Sequence, residues 1–231
     1  MPNYCVILPA AGQSTRFGNE HGKKVFATLL EHPVWVHSAM RFAERADVTQ
    51  ILLVISAEDR AYVEQEFASQ LESLKVQLVD GGAERYESIS NALSQVDDSI
   101  DYVAVHDAAR PCVSAESIEE VFQAAATHQA AMLAYPVAGT LKRVSEDMTI
   151  SETVSRQGIW EAQTPQVFSK AILEQAYAAR QSLAATDDAQ LVENIGKPVK
   201  IVKGSPWNLK ITNPEDFLVA KMALSEMMKP E

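Results

Sequence analysis

The sequence predicts an α/β protein with a doubly wound, mostly parallel sheet, and three observations carry that prediction. Short apolar, β-rich runs alternate with segments of helical periodicity, the pattern of βα units feeding a parallel sheet. Small or polar loops follow several of these runs directly, at the carboxyl ends of strands where such sheets bind ligands. The chain has 231 residues, 47% of them apolar, which is enough for one large core, and no repeat or low-complexity stretch divides it. A single domain over residues 1–231 is therefore expected.

The first strand is Tyr4–Leu8, and Pro9-Ala10-Ala11-Gly12-Gln13-Ser14-Thr15-Arg16-Phe17-Gly18 follows it, with Lys23 and Lys24 just beyond. Small residues let backbone N–H groups approach a polyphosphate, and the cations can balance its charge. Neither a G-x-G-x-x-G fingerprint nor a Walker A loop fits the spacing, so a third kind of nucleotide loop is the better reading. From Pro33 to Arg45, Val36, Met40 and Ala43 form a helical stripe with Trp35, Ala39 and Phe42 beside it. Gln50–Ile55 is a continuous apolar strand. Val63, Phe67 and Leu71 recur at helical spacing, and Lys75–Val79 is a strand leading into Asp80-Gly81-Gly82-Ala83-Glu84-Arg85. Ile89, Ala92, Leu93 and Val96 then mark a helix starting just after Ser88.

Asp101–Val105 is the next strand, ending in His106-Asp107-Ala108-Ala109-Arg110-Pro111. Ser114 caps a helix whose core face is Ile118, Val121, Phe122 and Ala125. Ala130–Val137 is a strand, followed by two short ones, Leu141–Val144 and Thr149–Val154, around Ser145-Glu146-Asp147-Met148. That hairpin has too few large apolar residues to bury both faces, so it reads as a protruding arm that packs on a second subunit. A helix over Ser169–Leu183 and strands at Lys197–Val202 and Asn208–Ile211 come next. Asn213-Pro214-Glu215-Asp216 then supplies a cap, an N1 proline and an acidic first turn for the last helix.

A formal charge of −11 argues against nonspecific nucleic-acid or anionic-membrane binding, which would need a broad basic surface. It leaves room for an anionic small substrate in a local cationic pocket. The two cysteines, Cys5 and Cys112, have no C-x-x-C partner or histidine cluster, so structural zinc is not expected. With no leader-like start and no membrane-length apolar run, a soluble cytoplasmic protein is expected.

Taken in order, these loops resemble the 2-C-methyl-D-erythritol 4-phosphate cytidylyltransferase family. The matching pieces are Ala10-Ala11-Gly12 with Arg16 and its lysine, Gly81-Gly82-x-Glu84-Arg85 with Ser88, and His106-Asp107-Ala108-Ala109-Arg110-Pro111. Thr140-x-Lys142-Arg143, Thr164-Pro165-Gln166, Thr186-Asp187-Asp188-Ala189 and Asn208-x-Lys210 complete the set. Two positions depart from the family pattern: Ser14 replaces a usual glycine, and Ala83 stands where an acidic residue often follows the glycine pair. The catalytic lysine falls on Lys23 if its distance from Arg16 is kept, or on Lys24 if the downstream frame of Phe26 and Leu29 is kept. The packing that follows the loop favours Lys24.

The resemblance implies a Rossmann-like nucleotidyltransferase fold and a homodimer formed through the 139–156 arm. It implies transfer of CMP from CTP to methylerythritol phosphate, with Mg²⁺ or another divalent cation. Arg16, Lys24, Asp107 and Lys210 are then catalytic, with Asp107 also a metal ligand. Ala10, Ala11, Gly12, Gly82, Ser88 and Ala108 line the CTP pocket, and Arg110, Thr140, Arg156 and Thr164 bind the acceptor phosphate. A cytidylyltransferase for ribitol 5-phosphate is the nearest rival, differing in the segment from Thr140 to Thr164.

Overall fold

Side-chain alternation along the first strand decides how the core divides. The computed structural model describes residues 1–12, 23–181 and 183–228. In β1 (Tyr4–Pro9), Tyr4, Val6 and Leu8 point into one cluster with Trp35, Phe42, Ile51 and Phe122, whereas Cys5 and Ile7 point into another with Leu52, Val54, Ile89 and Phe168. A strand buried on both faces needs apolar residues at every position, which is why Tyr4–Leu8 reads as an unbroken run.

The later strands are β2 (Thr28–Leu29), β3 (His32–Pro33), β4 (Val48–Ile55), β5 (Val76–Asp80), β6 (Tyr102–Val105), β7 (Ala130–Pro136), β8 (Leu141–Val144), β9 (Ile150–Val154), β10 (Trp160–Ser169) and β11 (Lys200–Lys203). Seven of them form one sheet in the order β11-β7-β10-β6-β1-β4-β5. Its neighbours are parallel except around β10, which runs antiparallel to both β6 and β7. The fold is thus the expected doubly wound, mostly parallel α/β class.

Helices cover both faces. On the Tyr4 side lie α1 (Val34–Ala43), α2 (Arg60–Glu66), α3 (Ala68–Ser73) and α5 (Ala115–His128). On the Cys5 side lie α4 (Arg85–Leu93), α6 (Lys170–Ala178) and α7 (Asp188–Asn194). A third cluster seats α8 (Pro214–Met227) through Ala220, Ala223 and Leu224 against Leu29, Val34, Cys112 and Ile211. Both cysteines are buried and unpaired, and burial pushes the Cys112 thiol up to about 12. No helix among the described residues is long and apolar enough to cross a membrane.

Several expected elements differ. The helix placed after Ser88 begins at Arg85, because Glu84 and Glu87 form a reciprocal capping box that starts it earlier and puts Ser88 in its first turns. The helix through Val63, Phe67 and Leu71 breaks at Phe67 into α2 and α3, and the one expected over Ser169–Leu183 stops at Ala178, with α7 following unpredicted. Asn208–Ile211 is an irregular segment, not a strand. The missing strand is β10, whose Gln163-Thr164-Pro165-Gln166 stretch looks like loop. Its glutamines are buried because partners satisfy them: Gln163 Nε2 donates to the Ser205 carbonyl at 2.8 Å, and Gln166 Nε2 donates to Asp187 at 3.0 Å while its Oε1 accepts the Ala189 N–H at 2.9 Å.

The arm is present. β8 and β9 pair only with each other among the described residues, and their side chains are mostly exposed.

The cap of α8 is the most legible local feature of the sequence. Asn213 Oδ1 accepts the Asp216 N–H at 2.9 Å, and Asp216 Oδ2 accepts the Asn213 N–H at 3.0 Å and the Thr212 N–H at 2.7 Å. Asn213→Ala should lower the stability by about 1 kcal/mol in urea unfolding. An unchanged midpoint would mean that packing alone holds α8.

Candidate active site

β1, β4, β5 and β6 are parallel neighbours, so the loops leaving them meet at one edge of the sheet. They enclose a cleft of about 300 Å³, at the lower end of the range for small-molecule sites. One wall is Pro9, Ala10, Ala11 and Gly12; another is Gly82, Ala83, Glu84, Arg85 and Ser88; Asp107 and Ala109 come from beyond β6, and Lys24, Val25, Lys210 and Thr212 close the remainder.

The two glycines are required by close approach. A Cβ on Gly81 would stand 2.8 Å from Ala11 Cβ and 2.9 Å from Ser88 Oγ, and one on Gly82 would stand 2.3 Å from Glu87 Cβ. The loops therefore pack backbone against side chain. Ser88 Oγ accepts the Gly82 N–H at 3.1 Å and donates to the Glu84 carbonyl at 3.2 Å, pinning the glycine loop to the start of α4.

The two lysines separate in space. Lys23 Nζ is 2.5 Å from Asp59 Oδ2 and 3.0 Å from Ser56 Oγ, at the end of β4, and does not line the cleft. Lys24 does. Val25 is buried and its carbonyl accepts the Trp35 N–H at 3.0 Å, so both neighbours of Lys24 are tied down while it lies at the cleft. Arg16 and Ser14 lie outside the described residues.

Asp107 is 8% exposed and Oδ2 receives two cations: Lys210 Nζ at 3.1 Å and Arg110 Nε at 3.2 Å. Burial by itself raises a carboxyl pKa, but Lys210, then Arg110 and Arg85, outweigh it and hold Asp107 well below the usual carboxylate range. Arg110 is buried and engaged underneath: Nη1 donates to the Asn208 carbonyl at 2.6 Å and Nη2 to the Ala162 carbonyl at 3.5 Å. Thr164 is also buried, its Oγ1 accepting the Asp107 N–H at 3.0 Å. Neither Arg110 nor Thr164 lines the cleft, and Ala108 is fully buried with its carbonyl taking the Ser38 hydroxyl at 3.0 Å, while Ala109 faces the space instead. Thr140 and Arg156 are exposed on the arm, away from the cleft of their own chain, and the Arg156 guanidinium donates to the Ala138 carbonyl.

Arg85 is a site residue that no local sequence signal marks. It lines the cleft and its Nη2 is 2.6 Å from Oδ2 of Asp188, a fully buried carboxylate whose other oxygen accepts the Tyr177 hydroxyl at 2.5 Å. Both partners lie in segments already singled out as motifs, but 103 residues apart. Nothing local marks them as a pair. No group of three or more His, Cys, Asp or Glu residues capable of holding a metal ion occurs among the described residues.

A doubly wound sheet whose carboxyl edge joins a small-residue loop to lysines and an arginine is the framework of a nucleotidyl-transferring enzyme. The 2-C-methyl-D-erythritol 4-phosphate cytidylyltransferase family model matches residues 4–226, and the chain belongs to that family. A 2-C-methyl-D-erythritol 4-phosphate cytidylyltransferase of Rhodopirellula baltica is 45% identical, over 96% of this chain and 94% of its own. One from Bacillus cereus is 41% identical over 98% of this chain and 100% of its own. The crystal structure of the enzyme of that name from Thermus thermophilus superposes with a TM-score of 0.77 at 32% identity, covering 97% of this chain and 100% of that one. The chain is accordingly a nucleotidyltransferase.

Removing the Asp107 charge has a consequence for stability with a definite sign. An unfolded Asp titrates near 3.9, above the depressed folded value, so the ion pairs stabilise the fold above about pH 4 and that contribution fades as the pH falls through the folded value. Asp107→Asn leaves the buried Arg110 underpaired and should cost about 1–3 kcal/mol at pH 7. In urea unfolding the gap between wild type and variant should be constant above about pH 5 and narrow below about pH 4. A gap independent of pH throughout the acid range would show that the lost charge is not its source.

Proposed function

We propose that the chain transfers the cytidylyl group of CTP to the phosphate of 2-C-methyl-D-erythritol 4-phosphate, releasing pyrophosphate, in the cytoplasm. The observation that carries this reading is the gathering of Lys24, Arg85 and Lys210 around a small-residue loop in a chain whose formal charge is −11. Such a cleft accepts polyanions against the field of the whole molecule. The unpaired thiols agree with a reducing compartment.

The nucleophile brings its own charge. A phosphate monoester has a second pKa of about 6, so near neutrality it is mostly a dianion and needs no general base. One of its oxygens attacks the α-phosphorus, the bond from that phosphorus to the bridging oxygen breaks, and the electron pair leaves with pyrophosphate. The obstacle is repulsion between anions and the charge that builds on the α-phosphate and the leaving group, so the protein's contribution is positioning and fixed positive charge.

In this reading Ala10, Ala11, Gly12 and Gly82 admit the nucleotide backbone-close, Ser88 and Ala108 fix the loops around it, and Lys24 with Arg16 neutralises the triphosphate. Lys210 is oriented by Asp107. Arg110 and Thr164 act from beneath the floor, where they set Asp107, while Thr140 and Arg156 of a second copy reach the acceptor phosphate. One carboxylate beside substrate phosphates suits Mg²⁺, which keeps few protein ligands. Asp107 would hold that ion or another divalent cation, which would supply charge neutralisation at the phosphates when bound. The exposed arm, with Val144, Met148 and Ile150 on its surface, supports assembly as a homodimer.

Mixing CTP with a panel of polyol phosphates and following pyrophosphate tests the reaction; release with ribitol 5-phosphate in place of methylerythritol phosphate would move the assignment to that acceptor. Lys24→Ala should lower kcat by roughly 10²–10³-fold, the loss of one group aimed at developing charge. Lys23→Ala, which breaks the pair with Asp59, should do far less. The reverse pattern would reassign the two lysines.

Shared sites can be tested by complementation. Arg156→Ala and Lys24→Ala subunits, each nearly inactive, are mixed under exchange conditions verified by mass. A heterodimer then contains one site with both defects and one with neither, so activity should rise towards a fraction of wild type. Confirmed exchange with no recovery means that the arm serves its own subunit.

A further inference from the structure

Both ring nitrogens of His106 are engaged, and both contacts bear on Asp107. The ring is fully buried, does not line the cleft, and lies edge-on to Phe42 with centroids 5.0 Å apart. Nε2 is 3.1 Å from the Arg110 carbonyl oxygen. A carbonyl only accepts, so Nε2 carries a proton. Nδ1 is 3.1 Å from Thr164 Oγ1, and that oxygen already accepts the Asp107 N–H at 3.0 Å. The Thr164 hydroxyl proton is thereby directed to Nδ1, which acts as the lone-pair acceptor of the same ring.

The bonds form a closed path. It runs from the Asp107 N–H to the Thr164 hydroxyl, on to Nδ1, across the ring to Nε2–H, and out to the Arg110 carbonyl; the Arg110 N–H in turn donates to the Asp107 carbonyl at 2.9 Å. Inside this path sits the turn from Asp107 to Arg110, and the Arg110 side chain holds the Asp107 carboxylate at 3.2 Å. A buried network with each member partnered has one low-energy arrangement.

We propose that His106 is a positioning residue for the transfer: fixed as the Nε2–H tautomer, it locks the 107–110 turn through Thr164 and the Arg110 carbonyl, and so aims the Asp107 carboxylate at the cleft. The ring touches no substrate and moves no proton in the reaction. This inference rests on the reading of the cleft as the cytidylyl-transfer site.

Its test combines kinetics with a direct view of the ring. His106→Gln and Thr164→Val should each lower kcat by about 10–100-fold, the scale of a small misplacement of a catalytic group, while KM for CTP changes less than about threefold. Thr164→Ser, which keeps the hydroxyl, should recover most of kcat. Because the two residues act through one path, the double variant His106→Gln/Thr164→Val should lose no more than the worse single variant. Multiplied losses, or a kcat near wild type in either folded single variant, would overturn the proposal. Long-range ¹H–¹⁵N spectra of the wild-type protein with labelled histidine decide the tautomer even if a variant fails to fold, and an Nδ1–H ring would also overturn it. A wild-type protein with the Nε2–H ring but no transfer from CTP to any polyol phosphate would instead remove the functional reading.

Discussion

The charge balance at Asp107 is the constraint on which the cleft depends. One oxygen of a carboxylate with 8% exposure takes an arginine and a lysine from segments 3 and 103 residues along the chain. Placing a lone anion at that depth would be costly, and its pKa would rise until it was neutral. The two cations reverse this, and the same bonds fix where the 208–212 segment lies. Asn208 completes the fixing, since its carbonyl accepts from Arg110 and its side-chain amide donates to the Thr164 carbonyl at 2.8 Å. An irregular stretch thus holds Lys210 at the cleft without the help of a sheet.

Arg85 is held by the same principle from the other side. Asp188 is fully buried, and Arg85 and Tyr177 bond its two oxygens. Around α7 the capping Asp187, the Asp188 pair and Gln166 of β10 form one polar cluster behind the cleft wall. Arg85 with Asp188 and Gln166 with Asp187 and Ala189 answer one another across long stretches of sequence. The cleft walls are therefore held by ionic and hydrogen bonds as well as by packing.

The glycine pair and the lysine pair illustrate a second constraint, which is steric. With Ala11 and Ser88 within 3 Å of where a Cβ of Gly81 would stand, the first and second loops can approach only if Gly81 is bare backbone, while Gly82 must be bare because Glu87 of α4 lies against it. Lys23 and Lys24 differ by one position and have different fates, because Asp59 and Ser56 capture the first. The arm contributes nothing to this core, and its apolar side chains are left on the surface.

The sequence by itself determined the alternation of strands and helices, the two-sided burial of β1 and β4, the caps at Ser114 and Asn213, and the loops that meet at the carboxyl edge. These follow from local periodicity and from residues acting on neighbours a few positions away. It also held the family motif set, because those pieces are short and ordered. What tertiary structure alone decided lies where polar residues are buried by distant partners. β10 reads as loop in the sequence because its glutamines and threonine find acceptors and donors on α7, on the 205–208 segment and at His106. Asn208–Ile211 reads as strand in the sequence because Ile211 is apolar for the sake of α8. Arg85 carries no local signal of a role, and no local pattern tells whether a polar side chain such as Arg110 or Thr164 turns to the cleft or beneath it. That choice is made by the charge or carbonyl that waits on the other side, and only the folded chain brings it there.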